Sequence, residues 1–273
     1  MSSVDRLKVG FVGAGQMGMP MVVRLASAGY RPTVLARRPA VATAIEQAGG
    51  VAVSSLTELA DCDVVLCCLF DASQQDEVVL GEGGLLGVLR PASAIVSHTT
   101  APRAAVEAIA SAAAAAGVGF LDAPVSGTAA DIAAGRLTVL LGGLGEVAKR
   151  CEPLIASYSS TIRHTGGVGT ATALKLLNNS LFAANIQLAA TAVGLAEEQG
   201  IPLDVAMEAL QHCSGDSRAL GHMRLAGGPT LFAERVSHYL VKDVAAVREF
   251  ATQAGVDLGV ITKAIDEGPL SVA

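Results

Sequence analysis

The chain has no tryptophan, only three tyrosines and six phenylalanines, and no basic run. With so few rings, its core must come from aliphatic strands and close-packed, alanine-rich helices, which says little about function. Nineteen Lys and Arg face 25 Asp and Glu and nowhere cluster. The positive footprint that a phosphate backbone selects is missing, so nucleic acid is excluded as a main partner. The cysteines, Cys62, Cys67, Cys68, Cys151 and Cys213, are odd in number and have no Cys-x-x-Cys spacing. They form no disulfide framework and read as small core hydrophobes in a reducing compartment. The five histidines, His98, His164, His212, His222 and His238, have no metal-ligand spacing with each other or with the cysteines, so no metal is expected. No apolar run is long enough to span a membrane. Met1-Ser2-Ser3-Val4-Asp5-Arg6 leads straight towards a strand without a signal peptide, so the expectation is a cytoplasmic protein with no membrane partner. What is abundant is apolar residue: 51% of 273, enough for a sizeable core and one or two domains.

The first half alternates strands and helices. Leu7 to Val12 reads as a buried strand, and Gly13-Ala14-Gly15-Gln16-Met17-Gly18 follows at once, before a helix from Met19 to Ala28. This is G-x-G-x-x-G in the strand–turn–helix setting that a dinucleotide needs. The first glycine permits the tight turn, the second lets a pyrophosphate approach the backbone, and the third lets helix and strand pack closely. The helix N-terminus then faces the phosphates. The next strand, Arg31 to Ala36, should end in an acid if the cofactor is NAD, to hold the ribose 2′-hydroxyl. Arg37 and Arg38 stand there instead. A guanidinium suits a phosphate in charge and geometry, which points to NADP(H). Strands at 51–54, 63–69, 94–98, 119–122, 137–141 and 161–163 continue the alternation, so the sheet is expected to be mostly parallel and doubly wound. Its carboxyl ends place Leu69-Phe70, His98-Thr99 and the stretch from Asp122 to Thr128 around one crevice.

Beyond Gly169 strand signals vanish. A helical pattern runs from Ala171 to Gln199, stops at Gly200 and restarts at Pro202, with further helices at 203–213, 237–254 and 259–266. The predicted architecture is α/β: a Rossmann-type nucleotide domain over 1–165, then an all-α domain over 166–273 begun by a long interdomain helix. Lys175 and Asn179 share one face of that helix, four residues apart. A lone lysine on an apolar face must find a partner, reach water or lose its proton. Snorkelling is its blandest explanation. The helix is apolar over more surface than a small domain covers, so self-association is expected.

Four segments now match one family in order. The chain resembles the β-hydroxyacid dehydrogenases, the group of 3-hydroxyisobutyrate dehydrogenase and, more distantly, 6-phosphogluconate dehydrogenase. Gly13 to Met21 is similar to the family's cofactor motif, Asp122-Ala123-Pro124-Val125-Ser126-Gly127 to its substrate loop, Gly166 to Asn179 to its catalytic-lysine motif, and Lys242-Asp243 to its C-terminal motif. The resemblance implies a small carboxylate-bearing substrate held by the backbone of Ser126, Gly127 and Thr128. It implies Lys175 as general acid/base on the reacting oxygen, Asn179 orienting the substrate, and Lys242 near the nicotinamide. The cofactor residues it implies are Gly13, Ala14, Gly15, Gln16, Met17, Gly18, Arg37, Arg38, Leu69, Phe70 and Thr99. It also implies homodimers or homotetramers.

The chain departs from the family pattern at several places. Phe70 stands where the family often has proline, His98 where it usually has serine, Thr128 for the second glycine of the loop, and Ala171 for a glycine of the lysine motif. Phe70, His98 and Thr128 are expected along the crevice, although a strand-end histidine bonded to backbone is the preferred reading of His98. Three other functions stay open. A 6-phosphogluconate dehydrogenase would carry histidine where Asn178 stands. Imine reductases on this fold generally lack the lysine, as do catalytically silent cofactor-binding relatives.

Overall fold

A computed structural model describes residues 6–271, the side chains of residues 237–239 aside. The chain divides into two compact units, Met1–Lys175 and Leu176–Ala273. In chain order the first contains β1 (Val9–Val12), α1 (Gly18–Ser27), β2 (Thr33–Leu35), α2 (Pro39–Gln47), β3 (Val51–Val53), a 3₁₀ turn at Leu56–Leu59, β4 (Val64–Cys67), α3 (Ala72–Leu80), α4 (Leu85–Val88), β5 (Ala94–Ser97) and α5 (Arg103–Ala115). It continues with β6 (Gly119–Asp122), β7 (Val125–Ser126), α6 (Ala129–Ala133), β8 (Leu137–Gly143), α7 (Gly145–Ile155) and β9 (Ser159–Gly166).

The strands form one sheet in the order β3-β2-β1-β4-β5-β6-β8-β7, with β9 paired to β8. The six strands from β3 to β6 run parallel. β8 pairs antiparallel with β6 and β7, and β9 runs parallel to β8. The strand order reverses beside β1, the switch point at which ligands of such sheets bind. Period-two alternation builds a core on each face. Val9, Phe11, Val64, Leu66 and Val96 pack on one side, and Val12, Val65, Cys67 and Ile95 on the other. Phe11, Leu66 and Ile95 are fully buried, each contributing roughly 1.5–3 kcal/mol. Cys62, Cys67 and Cys151 are buried within this unit; Cys213 is exposed, which corrects the expectation that every thiol is core.

The second unit is helical: the remainder of α8 (Thr170–Glu198), then α9 (Leu203–Gln211), α10 (Arg218–Ala226), α11 (Pro229–Ala254) and α12 (Val260–Asp266). Its core joins Ile186, Val193, Met207, Met223, Phe232 and Leu240. One polar clamp crosses it. The buried Gln187 amide donates to Ile265 O (3.2 Å) and Leu270 O (2.7 Å), and its oxygen accepts the Leu270 N–H (3.0 Å), fixing the segment after α12. No helix among the described residues is long and apolar enough to cross a membrane.

Candidate active site

The turn between β1 and α1 is shaped for an anion. Gly13 has φ +100°, and a Cβ there would collide with the Cys68 carbonyl; one on Gly18 would collide with the Gly13 carbonyl. Gly15 differs, since a Cβ there would meet nothing within 4 Å. That open space is what a pyrophosphate lying against the backbone requires. Helix α1 has no side-chain cap at its Met17 N-cap and no acid in its first turn, so no side chain competes with a ligand there, although the Met19 N–H already donates to Gly15 O at 2.9 Å and Pro20 has none. A cavity of about 180 Å³ lies over Gly13, Ala14 and Gly15 and extends to Arg37, Arg38 and Leu69. Both arginines are exposed, and no carboxylate pairs with either among the described residues. Arg38 is the N-cap of α2, whose N-terminus also has no side-chain cap and no acid in its first turn. These residues fit a dinucleotide. Sequence reasoning missed Gln74, which lines the same cavity and accepts the Phe70 N–H at 3.3 Å.

The ends of β4 and β5 are tied to each other. The Leu69 N–H donates to Thr99 Oγ1 at 3.1 Å, and the Ser97 hydroxyl, bonded to buried Gln75, accepts the Thr99 N–H at 3.3 Å. Phe70 is 58% exposed. His98 is buried, and it points into the fold rather than lining a crevice. Its Nδ1 lies 2.7 Å from the Ala123 carbonyl, which only accepts, so Nδ1 carries the proton; bare Nε2 then accepts from the Tyr158 hydroxyl at 2.9 Å. The two rings meet edge to face.

Burial pushes the His98 pKa down to about 4, against a smaller upward pull from the Ala123 carbonyl. Because the folded value lies below the ordinary one, the unfolded chain takes up a proton first as pH falls. Stability is therefore lost from about pH 6.5 down to about 4, by about 3 kcal/mol in all. The expected result is a melting temperature that falls over that interval in wild type and falls less in His98→Asn, which starts lower at pH 7. Parallel curves for the two proteins would show that another group sets the acid limb.

The loop after β6 is held by its own side chains. Ser126 pairs with Thr138 in the ladder between β7 and β8. Gly127 has φ +138°, a conformation open to glycine. Thr128 caps α6, accepting the Asp131 N–H at 3.3 Å while Asp131 accepts the Thr128 hydroxyl at 2.7 Å and the Thr128 N–H at 2.9 Å. The Thr128 hydroxyl and then its N–H hold the Asp131 carboxyl below the usual carboxylate range. The expectation of three successive free N–H groups is thereby narrowed, since the Thr128 N–H is already taken. The spacing Thr128-x-x-Asp131 is a capping-box pattern that the sequence displayed.

Lys175 and Asn179 lie on α8, the lysine half-buried at the end of the first unit and the asparagine buried in the second. The Asn178 amide donates to Asn179 Oδ1 at 3.3 Å. Lys242 is exposed on α11, in the second unit. The start of α8 is set by a residue that sequence reading took only as part of the substrate motif: the Asp122 carboxylate accepts the N–H groups of Gly169 and Thr172, each at 2.9 Å.

Residues 8–166 match the family described as the NAD-binding domain of 6-phosphogluconate dehydrogenase. Residues 169–267 match the one described as NAD-binding of NADP-dependent 3-hydroxyisobutyrate dehydrogenase. The chain is 30% identical to the L-threonate dehydrogenase of Cupriavidus necator, over 97% of this chain and 87% of that protein. It is 32% identical to the NAD-dependent L-serine dehydrogenase of Pseudomonas aeruginosa, over 78% and 72%. The 3-hydroxyisobutyrate dehydrogenase of Mycobacterium tuberculosis, solved with L-serine, shares the fold at a TM-score of 0.84 and 24% identity, over 95% of this chain and 91% of that one. With its phosphate turn, its parallel sheet and its helical second unit, the chain belongs to the β-hydroxyacid dehydrogenase family of nicotinamide-dependent oxidoreductases.

Proposed function

We propose that the protein is an NADP(H)-dependent dehydrogenase or reductase of a small β-hydroxyacid or its semialdehyde. Residues 1–165 would bind the cofactor, and residues 166–273 would complete the substrate site and the subunit interface. The observation that carries this reading is the cavity over Gly13–Gly15 that runs onto two guanidiniums with no acid at the end of β2. Gly13 to Gly18 and the uncapped start of α1 would seat the pyrophosphate. Arg37 and Arg38, with the uncapped start of α2, would seat the 2′-phosphate. When bound, the nicotinamide supplies or accepts the hydride. The remaining chemistry is one proton at the substrate oxygen, and Lys175 would move it as general acid/base. Asn179, four residues along the same helix, would orient the substrate. The Ser126–Gly127 segment would receive its carboxylate, Thr128 joining only where Asp131 yields. Leu69, Phe70, Thr99 and Lys242 would border the nicotinamide.

The retained Lys175 favours this reading over imine reduction and over a catalytically silent module, and Asn178 favours it over sugar-phosphate oxidation. The test is a panel of 3-hydroxyisobutyrate, L-serine, L-threonate, 6-phosphogluconate and a cyclic imine, each with NADP(H) and NAD(H). Turnover of a hydroxyacid with a preference for NADP⁺ is expected; turnover of the imine alone would overturn the assignment.

The chain is also proposed to self-associate through α8. Leu174, Leu181, Leu188 and Leu195 recur every seven residues, with Leu177 between the first two, and all five are 40–58% exposed. Apolar residues at heptad spacing form the seam of paired helices. Sedimentation is expected to give a dimer or tetramer for wild type and a smaller species for Leu181→Glu/Leu188→Glu. A wild-type monomer at micromolar concentration would sink the idea.

A further inference from the structure

Asp122 ends β6 as a carboxylate only 2% exposed, and no cation pairs with it among the described residues. A buried charge needs compensation. Its compensation is the start of α8. One oxygen accepts the N–H of Gly169, immediately before the helix, and the other accepts that of Thr172 in its first turn. This is the work of an N-cap side chain, done by a residue 47 positions earlier in the chain and reinforced by the positive end of the helix. Two bonds from two oxygens fix both the height and the rotation of the first turn, where one bond would leave the helix free to roll.

The carboxylate is closely packed. Gly142 on β8 lies against it, and a Cβ there would collide with the Asp122 carboxyl and stand 2.9 Å from Gly167 O. The carbonyl of the next residue, Ala123 O, accepts from His98. Thr165 Oγ1 donates to Leu141 O at 3.1 Å and meets Thr170 Oγ1 at 2.8 Å, tying the turn before α8 to the same strand. Lys175 follows Thr172 by three residues, so it stands one turn further along the anchored face.

We propose that Asp122 is a positioning residue for Lys175, setting through Gly169 and Thr172 where the lysine ammonium stands. The first residue of the Asp122–Gly127 loop then serves the helix rather than the substrate. This rests on the reading of Lys175 as the acid/base. Because α8 is stiff, a small displacement at its first turn carries to Lys175, and misplacement by about 1 Å can cost about a hundredfold in rate.

The test compares Asp122→Asn, Gly142→Ala, Lys175→Ala and the double variant Asp122→Asn/Lys175→Ala in the full chain, with NADP⁺ and whichever of 3-hydroxyisobutyrate, L-serine and L-threonate is turned over. Asp122→Asn keeps the shape but replaces one acceptor by a donor. Gly142→Ala crowds both the carboxylate and Gly167 O without changing Asp122 itself, and it carries the comparison for the Asp122–α8 junction should Asp122→Asn not fold. The expected result for both is a kcat lower by about a hundredfold, with KM for NADP⁺ and the cofactor Kd within about twofold of wild type. In the Lys175→Ala background, Asp122→Asn is expected to remove almost nothing further, because residues acting as a unit are not additive. A kcat within about threefold of wild type in Asp122→Asn or Gly142→Ala overturns the proposal, as does a loss that multiplies undiminished onto Lys175→Ala. Full activity in Lys175→Ala overturns the acid/base reading itself. An inactive Lys175→Ala beside an active Asp122→Asn overturns only the positioning role.

Discussion

Lys175→Ala is expected to lower kcat by about a hundred- to ten-thousandfold, the range over which a positioned acid/base acts, while KM for NADP⁺ stays within about twofold. The reason lies in what each part of the site supplies. Hydride transfer oxidises the carbon only if the hydroxyl proton leaves with it, and the cofactor has no group that takes that proton. Neither does the phosphate turn: Gly13 to Gly18 offers N–H donors, and α1 begins without any side-chain cap. Among the residues assigned to the substrate itself, Lys175 is the one whose nitrogen can both accept and release a proton. Lys175→Arg is therefore the sharper variant. It keeps the positive charge, but a guanidinium does not give up its proton in a protein. An arginine that restored more than about a tenth of the wild-type rate would mean that charge alone was needed, and the acid/base role would be wrong. Recovery of part of the Lys175→Ala loss by a small primary amine, saturating in amine concentration, is the positive counterpart.

Much of this was legible in the sequence because two periodicities carry it. Strands such as 64–67 and 94–97 are apolar on both sides, as buried parallel strands are, and the glycine turn follows its strand without a gap. The pieces that escaped notice are those in which the chain bonds to itself at short range or across long distance. Strand β7 is two residues long, too short for any alternation to show. Helix α10 starts at a Ser217 cap that accepts the Leu220 N–H at 3.2 Å, but Arg218, Gly221, His222 and Arg224 blur its apolar stripe. Helix α11 begins at Pro229 rather than near residue 237. Gly227 closes α10 in the left-handed region and Gly228 directly caps the next helix.

At the site the same division holds. Residue types announced the strand, glycine turn and helix at Gly13–Gly18. They could not announce that His98 turns inward to Ala123 and Tyr158, nor that Asp122 reaches across to α8, since these bonds join residues at least 25 positions apart. The Thr128–Asp131 box was local and could have been read.

Replacing both Arg37 and Arg38 by alanine is expected to raise KM for NADPH by about a hundredfold and KM for NADH by less than about threefold. A hydrogen bond to a charged group contributes about 1.5–3 kcal/mol, and about 1.4 kcal/mol is tenfold in affinity. Two such contacts would thus allow more than a hundredfold. Both arginines are exposed, so water and salt screen them and the lower figure is the one to expect. For the same reason the NADPH preference should shrink as ionic strength rises, while the NADH constants stay nearly flat. The uncapped N-terminus of α2 remains in the double variant, so some preference for the phosphorylated cofactor should survive. Arg37→Asp goes further. It places an acid after β2, where a ribose 2′-hydroxyl would need one, and it should bring NADH turnover up as NADPH turnover falls. The NAD-dependent L-serine dehydrogenase among the relatives makes this the discriminating measurement. Equal losses with both cofactors, or a wild type that prefers NADH, would remove the arginines from the cofactor site and leave only the pyrophosphate seat at Gly13–Gly18.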